Sequence, residues 1–176
     1  MDQLVQEIID DTEAWIRACR ERFWPMAAPL PGREKDALAN YFPSELLDKV
    51  GIGTAEIENP PFYERLRGLG FKDLIDFRNM AGITFIDTVI LSGVGESRSG
   101  RDRLALLAHE LAHVEQYRRL GVQRFARIYV TSWFQSRRYE QIILEMHAYS
   151  VESQFRASPV PFSVARHLDA LMVGLS

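Results

Sequence analysis

The chain has 176 residues, of which 47% are hydrophobic and 26% are charged, and its formal net charge is −3. This length and composition are typical of one soluble globular domain rather than two. The mild acidity provides no general attraction to nucleic acid or to an anionic membrane surface. Because Cys19 is the only cysteine, an internal disulfide and a cysteine-based metal cluster are both excluded, as is typical of a reducing compartment.

The N-terminal sequence MDQLVQEIIDD is acidic where a secretory signal is basic. No stretch of the sequence reaches the roughly 18 uncharged apolar residues of a membrane span. We therefore expect a cytoplasmic protein without a membrane-spanning segment.

The first third of the sequence predicts helices followed by a strand. Apolar residues recur at helical spacing over residues 3–24, and Pro25 ends the pattern, so we expect an amphipathic N-terminal helix. Two short helices are expected in REKDALANYF and in PSELLDKV. The glycine-bounded segment GIGTAEIE, residues 51–58, is the first strand candidate because it is rich in β-branched residues.

The rest of the sequence predicts a second strand and then mainly helices. GITFIDTVIL, residues 82–91, is the second strand candidate, and the residues before it predict a short helix opened by two prolines and then another helix. SGVGESRSG is expected to be a loop, and Ser99 with Asp102 forms a capping-box signature for a helix start. Later helices are expected over residues 122–136, 139–156 and 163–173. These elements predict an α+β fold, predominantly helical, with a small sheet before the central helix, in a single domain of residues 1–176.

The segment LLAHELAHVEQYRRLG contains two of the four histidines, four residues apart. On a helix, His109 and His113 lie on one face with Cβ atoms roughly 5–6 Å apart, so both imidazoles can reach one metal ion. Glu110 lies about 100° around the helix from His109, where its carboxylate can reach a metal-bound water instead of the metal. Gln116 lies on the ligand face and is a candidate to orient a ligand or a substrate. The pattern predicts half of a metal site with a general base beside it.

A hydrolytic zinc site usually has three protein ligands and leaves one position for water. The helix expected in RRYEQIILEMHAYSVESQF offers candidates for the third ligand. We choose Glu145, because its apolar neighbours predict that it is buried, and a buried carboxylate needs a partner. His147 lies on another face of that helix and is the alternative ligand. Glu140 and Glu152 are assigned to the surface.

HELAH followed by LEMHAY resembles the zincin metallopeptidases, specifically the gluzincin branch, in which HExxH on one helix is completed by a glutamate on a later helix. LLAHELAHVEQYRRLG, with GITFIDTVIL before it, is similar to the small bacterial HELxHxxQ domains. The resemblance covers about residues 38–157 and implies a zincin-like core on which the helices at 3–24 and 163–173 pack. It also implies one zinc ion and a peptide or protein substrate that lies along the strand at residues 83–91, as an edge beside the cleft.

If the mechanism follows the zincins, zinc polarises the scissile carbonyl, and Glu110 transfers a proton from water to the leaving amine. The candidates for a donor that stabilises the transition state are Tyr149, Tyr139, Tyr117 and His147. Gluzincins of the thermolysin kind have an Asp four residues after the glutamate ligand to support a histidine. This chain has Tyr149 at that position, so the sequence names no residue for that support.

Two other functions are open at this point. In the first, zinc fastens helix to helix in a catalytically inactive structural or interaction module, for example as a protein partner within a bacterial toxin, phage or secretion assembly. Glu110 distinguishes this case, because a structural site has no use for a base. In the second, the chain is a metal-free helical interaction domain that docks through Trp15 and Trp24.

Overall fold

The computed structural model describes residues 2–158 and 160–175, and it is 66% helical with a small mixed sheet. The prediction of a predominantly helical α+β fold is therefore confirmed. The helices are α1 (Asp2–Phe23), α2 (Gly32–Leu38), α3 (Ser44–Lys49), α4 (Tyr63–Gly68), α5 (Gly93–Glu96), α6 (Gly100–Ser136), α7 (Ile143–Ala157) and α8 (Val164–Leu171). The strands are β1 (Ala28–Pro29), β2 (Gly51–Thr54), β3 (Gly82–Phe85) and β4 (Thr88–Leu91). Within the described ranges, no helix is long and apolar enough to cross a membrane.

The sheet has the strand order β1-β2-β4-β3, in which β2 and β4 are parallel and the other pairs are antiparallel. Residues 82–91, which the sequence predicts as one strand, form a hairpin instead. Its tight turn contains no glycine, and Ile86 has a φ of 64°, which a β-branched residue rarely adopts. Arg20 donates two hydrogen bonds of 2.9 Å to Asp87 in the same turn. This contact with α1 supports the turn. In the strand order given above, β3 is one of the two edge strands.

Most of the predicted helices are present, with three local corrections. The second helix expected between the strands is only a 3-10 turn, Phe77–Asn79. The expected loop after β4 contains α5, whose N-cap Ser92 accepts a hydrogen bond from the Gly95 N–H at 3.3 Å. The helix expected over residues 139–156 begins at residue 143, after the 3-10 turn Tyr139–Gln141.

The helix that carries HELAH, α6, begins after Ser99 as predicted, but the capping box does not form. Ser99 makes no side-chain cap hydrogen bond, and the carboxylate of Asp102 pairs with Arg156 on α7. The capping signature therefore predicts the correct helix start, but the acidic side chain of Asp102 forms a tertiary ion pair instead of capping the helix.

A glycine divides α6 into two helical parts. Gly121 has φ 71° and ψ 166°, a conformation that only glycine adopts readily. The buried residues before Gly121, from Ala105 to Val114, join a hydrophobic cluster with α7 and α8. Tyr117 and the buried apolar residues from Val122 to Val130 join a second cluster with α1, the 60–80 segment and the β3-β4 hairpin. Helix α6 thus passes from one core to the other between Val114 and Tyr117, a turn before Gly121, and the predicted metal ligands lie close to this change.

Candidate metal centre

Three of the predicted ligands lie together in the interior. His109 and His113 on α6 and Glu145 on α7 each offer one ligand atom, and these atoms all lie within 4.8 Å of one another. The three residues are only 4–6% exposed. Ala112 and Ala148 are fully buried between the helices, and their small side chains allow the close approach that brings Glu145 to the histidines. This buried group could hold a metal ion.

The geometry of the group fits a cation. Oε2 of Glu145 lies 3.4 Å from Nε2 of His109 and 3.4 Å from Nε2 of His113. Ligand atoms about 2.0–2.1 Å from a tetrahedral zinc ion are about 3.3 Å apart, so these separations match two edges of a tetrahedron. The same Oε2 atom is buried and has no hydrogen-bond partner within the described chain. An unpaired buried carboxylate oxygen that faces two imidazole nitrogens is well suited to bind a positive charge.

Each histidine has an acceptor behind its ring. Nδ1 of His113 donates to Oε1 of Gln116 at 2.8 Å, and Gln116 in turn donates to the Leu144 carbonyl at 3.0 Å. Nδ1 of His109 lies 3.4 Å from Oε2 of Glu152, although the two atoms are not aligned as a hydrogen bond. Acceptors in these positions favour a proton on Nδ1 and leave the Nε2 lone pair free for a metal. Gln116 therefore contacts a candidate ligand.

The assignment of Glu152 to the surface is wrong. Its side chain is 16% exposed and is held between His109 and Arg156, which donates to it at 3.0 and 3.1 Å. Glu152 follows Glu145 by seven residues, which is two helical turns, so both carboxylates lie on the same face of α7. This spacing was a usable signal in the sequence. Glu140, by contrast, is exposed as expected.

The electrostatics of the cluster favour a bound cation. Burial alone would lower the pKa of His109, but the carboxylates of Glu145 and Glu152 outweigh burial and raise that pKa to about 10. Burial alone would raise the pKa of Glu145, but the imidazoles of His113 and His109 hold it well below its usual range. The cluster can be neutralised by a proton on the imidazole or by a metal ion, so the two cations compete for it.

Glu110 lies beside the ligand group without belonging to it. Its side chain is 3% exposed, and its Oε2 accepts a hydrogen bond of 2.7 Å from the hydroxyl of Thr84 on β3. Burial raises the pKa of this carboxyl group. A Cβ atom at Gly82 would lie 2.6 Å from Oε1 of Glu110, so the glycine allows strand β3 to lie directly against the carboxylate. The edge strand and the predicted base are therefore in direct contact.

The tyrosine and histidine candidates for the transition-state donor lie at different places around the ligand group. The ring of Tyr149 packs on His109 with centroids 4.7 Å apart, Tyr139 lines the recess beside the cluster, and Tyr117 donates to the Thr84 carbonyl at 3.4 Å. His147 is neither in the ligand group nor in the lining of the recess. Sequence reasoning missed Tyr129, which donates to Oε1 of Glu145 at 3.1 Å. Tyr129 lies beyond the Gly121 break, so helical spacing from HELAH could not locate it.

A recess extends from the ligand group towards the N-terminal helix. Besides the ligand group and Glu110, its walls come from α1, the 60–80 segment, strand β3 and the second part of α6. Trp15, which sequence reasoning offered as a docking residue, forms part of this wall and packs on Phe77 and Phe85. Trp24 is 38% exposed.

Comparison of the chain with protein-family models, with curated proteins and with solved structures finds no match.

Proposed function

We propose that this chain is a zinc-dependent metallopeptidase of the gluzincin type, with His109, His113 and Glu145 as ligands and Glu110 as the general base. The observation that carries the proposal is the position of Glu110. A buried carboxyl group beside the three candidate ligands has no role in holding a structural metal, whereas a hydrolytic site requires a base at that place.

The donor set supports zinc as the ion. Two imidazole nitrogens and one carboxylate oxygen are a common set for catalytic zinc, and three protein ligands leave one coordination position open. A zinc ion bound there supplies a Lewis acid for a carbonyl group and lowers the pKa of a water molecule. Gln116 orients the imidazole of His113 through a hydrogen bond, and the Glu152 carboxylate lies 3.4 Å behind that of His109.

The residues of the chain would then carry the proton transfers. Glu110 accepts the proton of the attacking water and delivers it to the amine that leaves. The Thr84 hydroxyl holds Oε2 of Glu110 in place. Because β3 is an edge strand in contact with Glu110, a substrate in extended conformation can pair with its backbone at Gly82 and Thr84. That pairing competes with the long hydrogen bond from Tyr117 to the Thr84 carbonyl.

A second function has its own support. All three ligands and Glu110 are buried, and the ligands join α6 to α7. A zinc ion that only fastens these helices would give a catalytically inactive structural or interaction module, such as part of a larger assembly. This alternative requires the three ligands but predicts no effect when Glu110 is replaced.

The test is metal content by mass spectrometry on wild type, His113→Ala, Glu145→Ala and Glu110→Gln, followed by a broad peptide-cleavage screen. We expect one zinc per chain in wild type, none in the two ligand variants, and one in Glu110→Gln together with loss of cleavage. Glu140→Ala is the matched control, because Glu140 is an exposed glutamate close to Glu145 in sequence.

The outcomes separate the two functions. Zinc that is bound by wild type and by Glu110→Gln, with no cleavage by either protein, would favour the structural module. Absence of metal from all the proteins, together with a melting temperature that ignores both zinc and chelator, would refute both.

A further inference from the structure

The recess beside the ligand group combines parts of the chain that are distant in sequence. Helix α1 contributes Ile8, Trp15 and Ile16 to its wall. This helix lies outside residues 38–157, to which the zincin resemblance extends. The shape and chemistry of this wall are therefore properties of this chain, and they require an explanation of their own.

The lining is apolar apart from one end. Among the described residues that line the recess, the only ionisable acidic or basic side chains are His109, Glu110, His113 and Glu145. A charged ligand group that entered beyond them would lose its hydration without gaining a partner of opposite charge. Aromatic rings form much of the remaining lining: Trp15, Phe62, Phe77, Phe125 and Trp133.

Several hydroxyl groups of the lining already have partners. Thr12 donates to the Ile8 carbonyl at 2.7 Å, Thr84 donates to Glu110, and Tyr129 donates to Glu145. These bonds turn polar groups of the wall towards the protein itself. An apolar ligand leaves these bonds intact.

We propose that the recess binds one large, uncharged apolar side chain of the substrate, aromatic side chains above all. The substrate class is then peptides with such a residue next to the bond that lies at Glu110. That the bound group is part of a substrate rests on the proposed peptidase function. Binding of an apolar group in the recess does not depend on that function. An aromatic ring gains burial against the ring-lined wall, and a small side chain leaves the wall without contacts.

The first experiment uses metal-free full-length protein with labelled isoleucine and methionine methyl groups, titrated with 4-phenylbutan-1-ol and followed by NMR. We expect saturable shifts at Ile8, Ile75 and Met80, which line the recess. Ile52 and Met172 belong to the other hydrophobic cluster and should not shift. The anionic probe 5-hydroxypentanoate should produce no shifts. Shifts that are absent, spread over both clusters or equal for the two probes would overturn the inference.

The second experiment links the recess to the ligand group in zinc-loaded protein. Acetohydroxamate supplies a zinc-binding head alone, and 4-phenylbutanohydroxamate adds an apolar arm to the same head. We expect the arm to tighten binding roughly 30-fold, as measured by calorimetry, because it buries a phenyl ring. A cationic arm, in 6-aminohexanohydroxamate, should add nothing.

A pair of methionine variants provides the matched control. Both Met80 and Met172 are half-buried, but only Met80 lines the recess. Met80→Trp should fill the recess and remove most of the 30-fold gain, whereas Met172→Trp should keep it. An equal gain in both variants would mean that the arm binds elsewhere, and the inference would fail.

The two experiments distinguish this inference from the proposed function. If the recess methyl groups shift but no hydroxamate binds, the recess inference stands and the zinc proposal fails. If the hydroxamates bind with equal affinity and no methyl group shifts, the zinc site stands and the recess inference fails.

Discussion

The two ends of the recess are built in different ways. The charged end, with His109, His113, Glu110 and Glu145, comes from two helices and is held by directional contacts of 2.7–3.4 Å. The apolar end comes from α1, the 60–80 segment and the second part of α6, and it is held by side-chain packing. Directional contacts need particular atoms at particular places, whereas packing needs only suitable volume and polarity. Changes at one end should therefore leave the other end largely intact.

The largest expected effect on stability tests the apolar end. Trp15 lies 5.4 Å from Phe77 and 5.3 Å from Phe85 between ring centroids. We expect Trp15→Ala to lower the free energy of unfolding by about 3 kcal/mol, because the cavity left behind loses these contacts. For a chain of this size, that corresponds to a melting temperature about 6–12 °C lower, measured by calorimetry.

Zinc content is the critical second measurement on Trp15→Ala, and it should stay at the wild-type value. Trp24→Ala, which removes a more exposed indole group, serves as the control and should destabilise less. Loss of zinc from the folded Trp15→Ala protein would show that the two ends of the recess depend on each other.

A smaller effect tests the charged end through the residue behind His109. Replacing Glu152 by Gln keeps the size of the side chain but removes the negative charge 3.4 Å from Nδ1. We expect zinc affinity, measured by competition with a chelating dye, to fall by about 10- to 100-fold. Glu140→Gln, an equal change at an exposed position, should have no effect. Equal zinc affinities in the two variants would show that Glu152 does not contribute to zinc binding.

The break in helix α6 at Gly121 can be tested by substitution. A Cβ atom added there would meet no heavy atom within 4 Å, but the φ of 71° is unfavourable for alanine. We expect Gly121→Ala to lower the free energy of unfolding by about 1–2 kcal/mol, as measured by urea denaturation. Gly32 is equally free of neighbours and has no positive φ, so Gly32→Ala should not destabilise. An unchanged free energy of unfolding for Gly121→Ala would mean that the backbone at the helix break can accept alanine without strain.

The last expected effect is a pH dependence of stability that differs between metal-free and zinc-loaded protein. The carboxylates raise the pKa of His109 from its ordinary 6.5 to about 10 in the fold. This stabilisation is complete below pH 6.5 and is lost as the pH rises towards 10. Metal-free protein should therefore lose stability as the pH rises through that window. Zinc-loaded protein should lack this loss, because the metal replaces the proton on His109. Identical pH profiles of the melting temperature for the two forms would contradict the assignment of His109 as a metal ligand.

The candidate site could be predicted where helical spacing alone determines proximity. His109 and His113 share a face because they are four residues apart, and the choice of Glu145 followed from its apolar neighbours. The same spacing puts Glu152, seven residues further on, on the face of Glu145, but the sequence analysis assigned it to the surface. Burial of that carboxylate depends on His109 and Arg156, which approach it from different elements.

The fold shows the same limit at the hairpin. The β-branched run over residues 82–91 predicts extended structure, which β3 and β4 confirm, but no glycine or asparagine marks the turn at Ile86. Arg20, 67 residues away from Asp87 in the chain, supports this turn. Local patterns cannot report a contact of that range.

The sequence by itself determined the α+β class, the position of α6 and the shared face of its two histidines, because helical periodicity and side-chain chemistry act over a few residues. Only the tertiary structure decided which glutamates face the histidines, which strand lies at the sheet edge and which residues surround the recess. Tyr129 reaches Glu145, and Trp15 reaches the recess wall, only after the Gly121 break and the docking of α1 have brought distant segments together. These choices depend on packing between elements, and packing is a property of the whole chain.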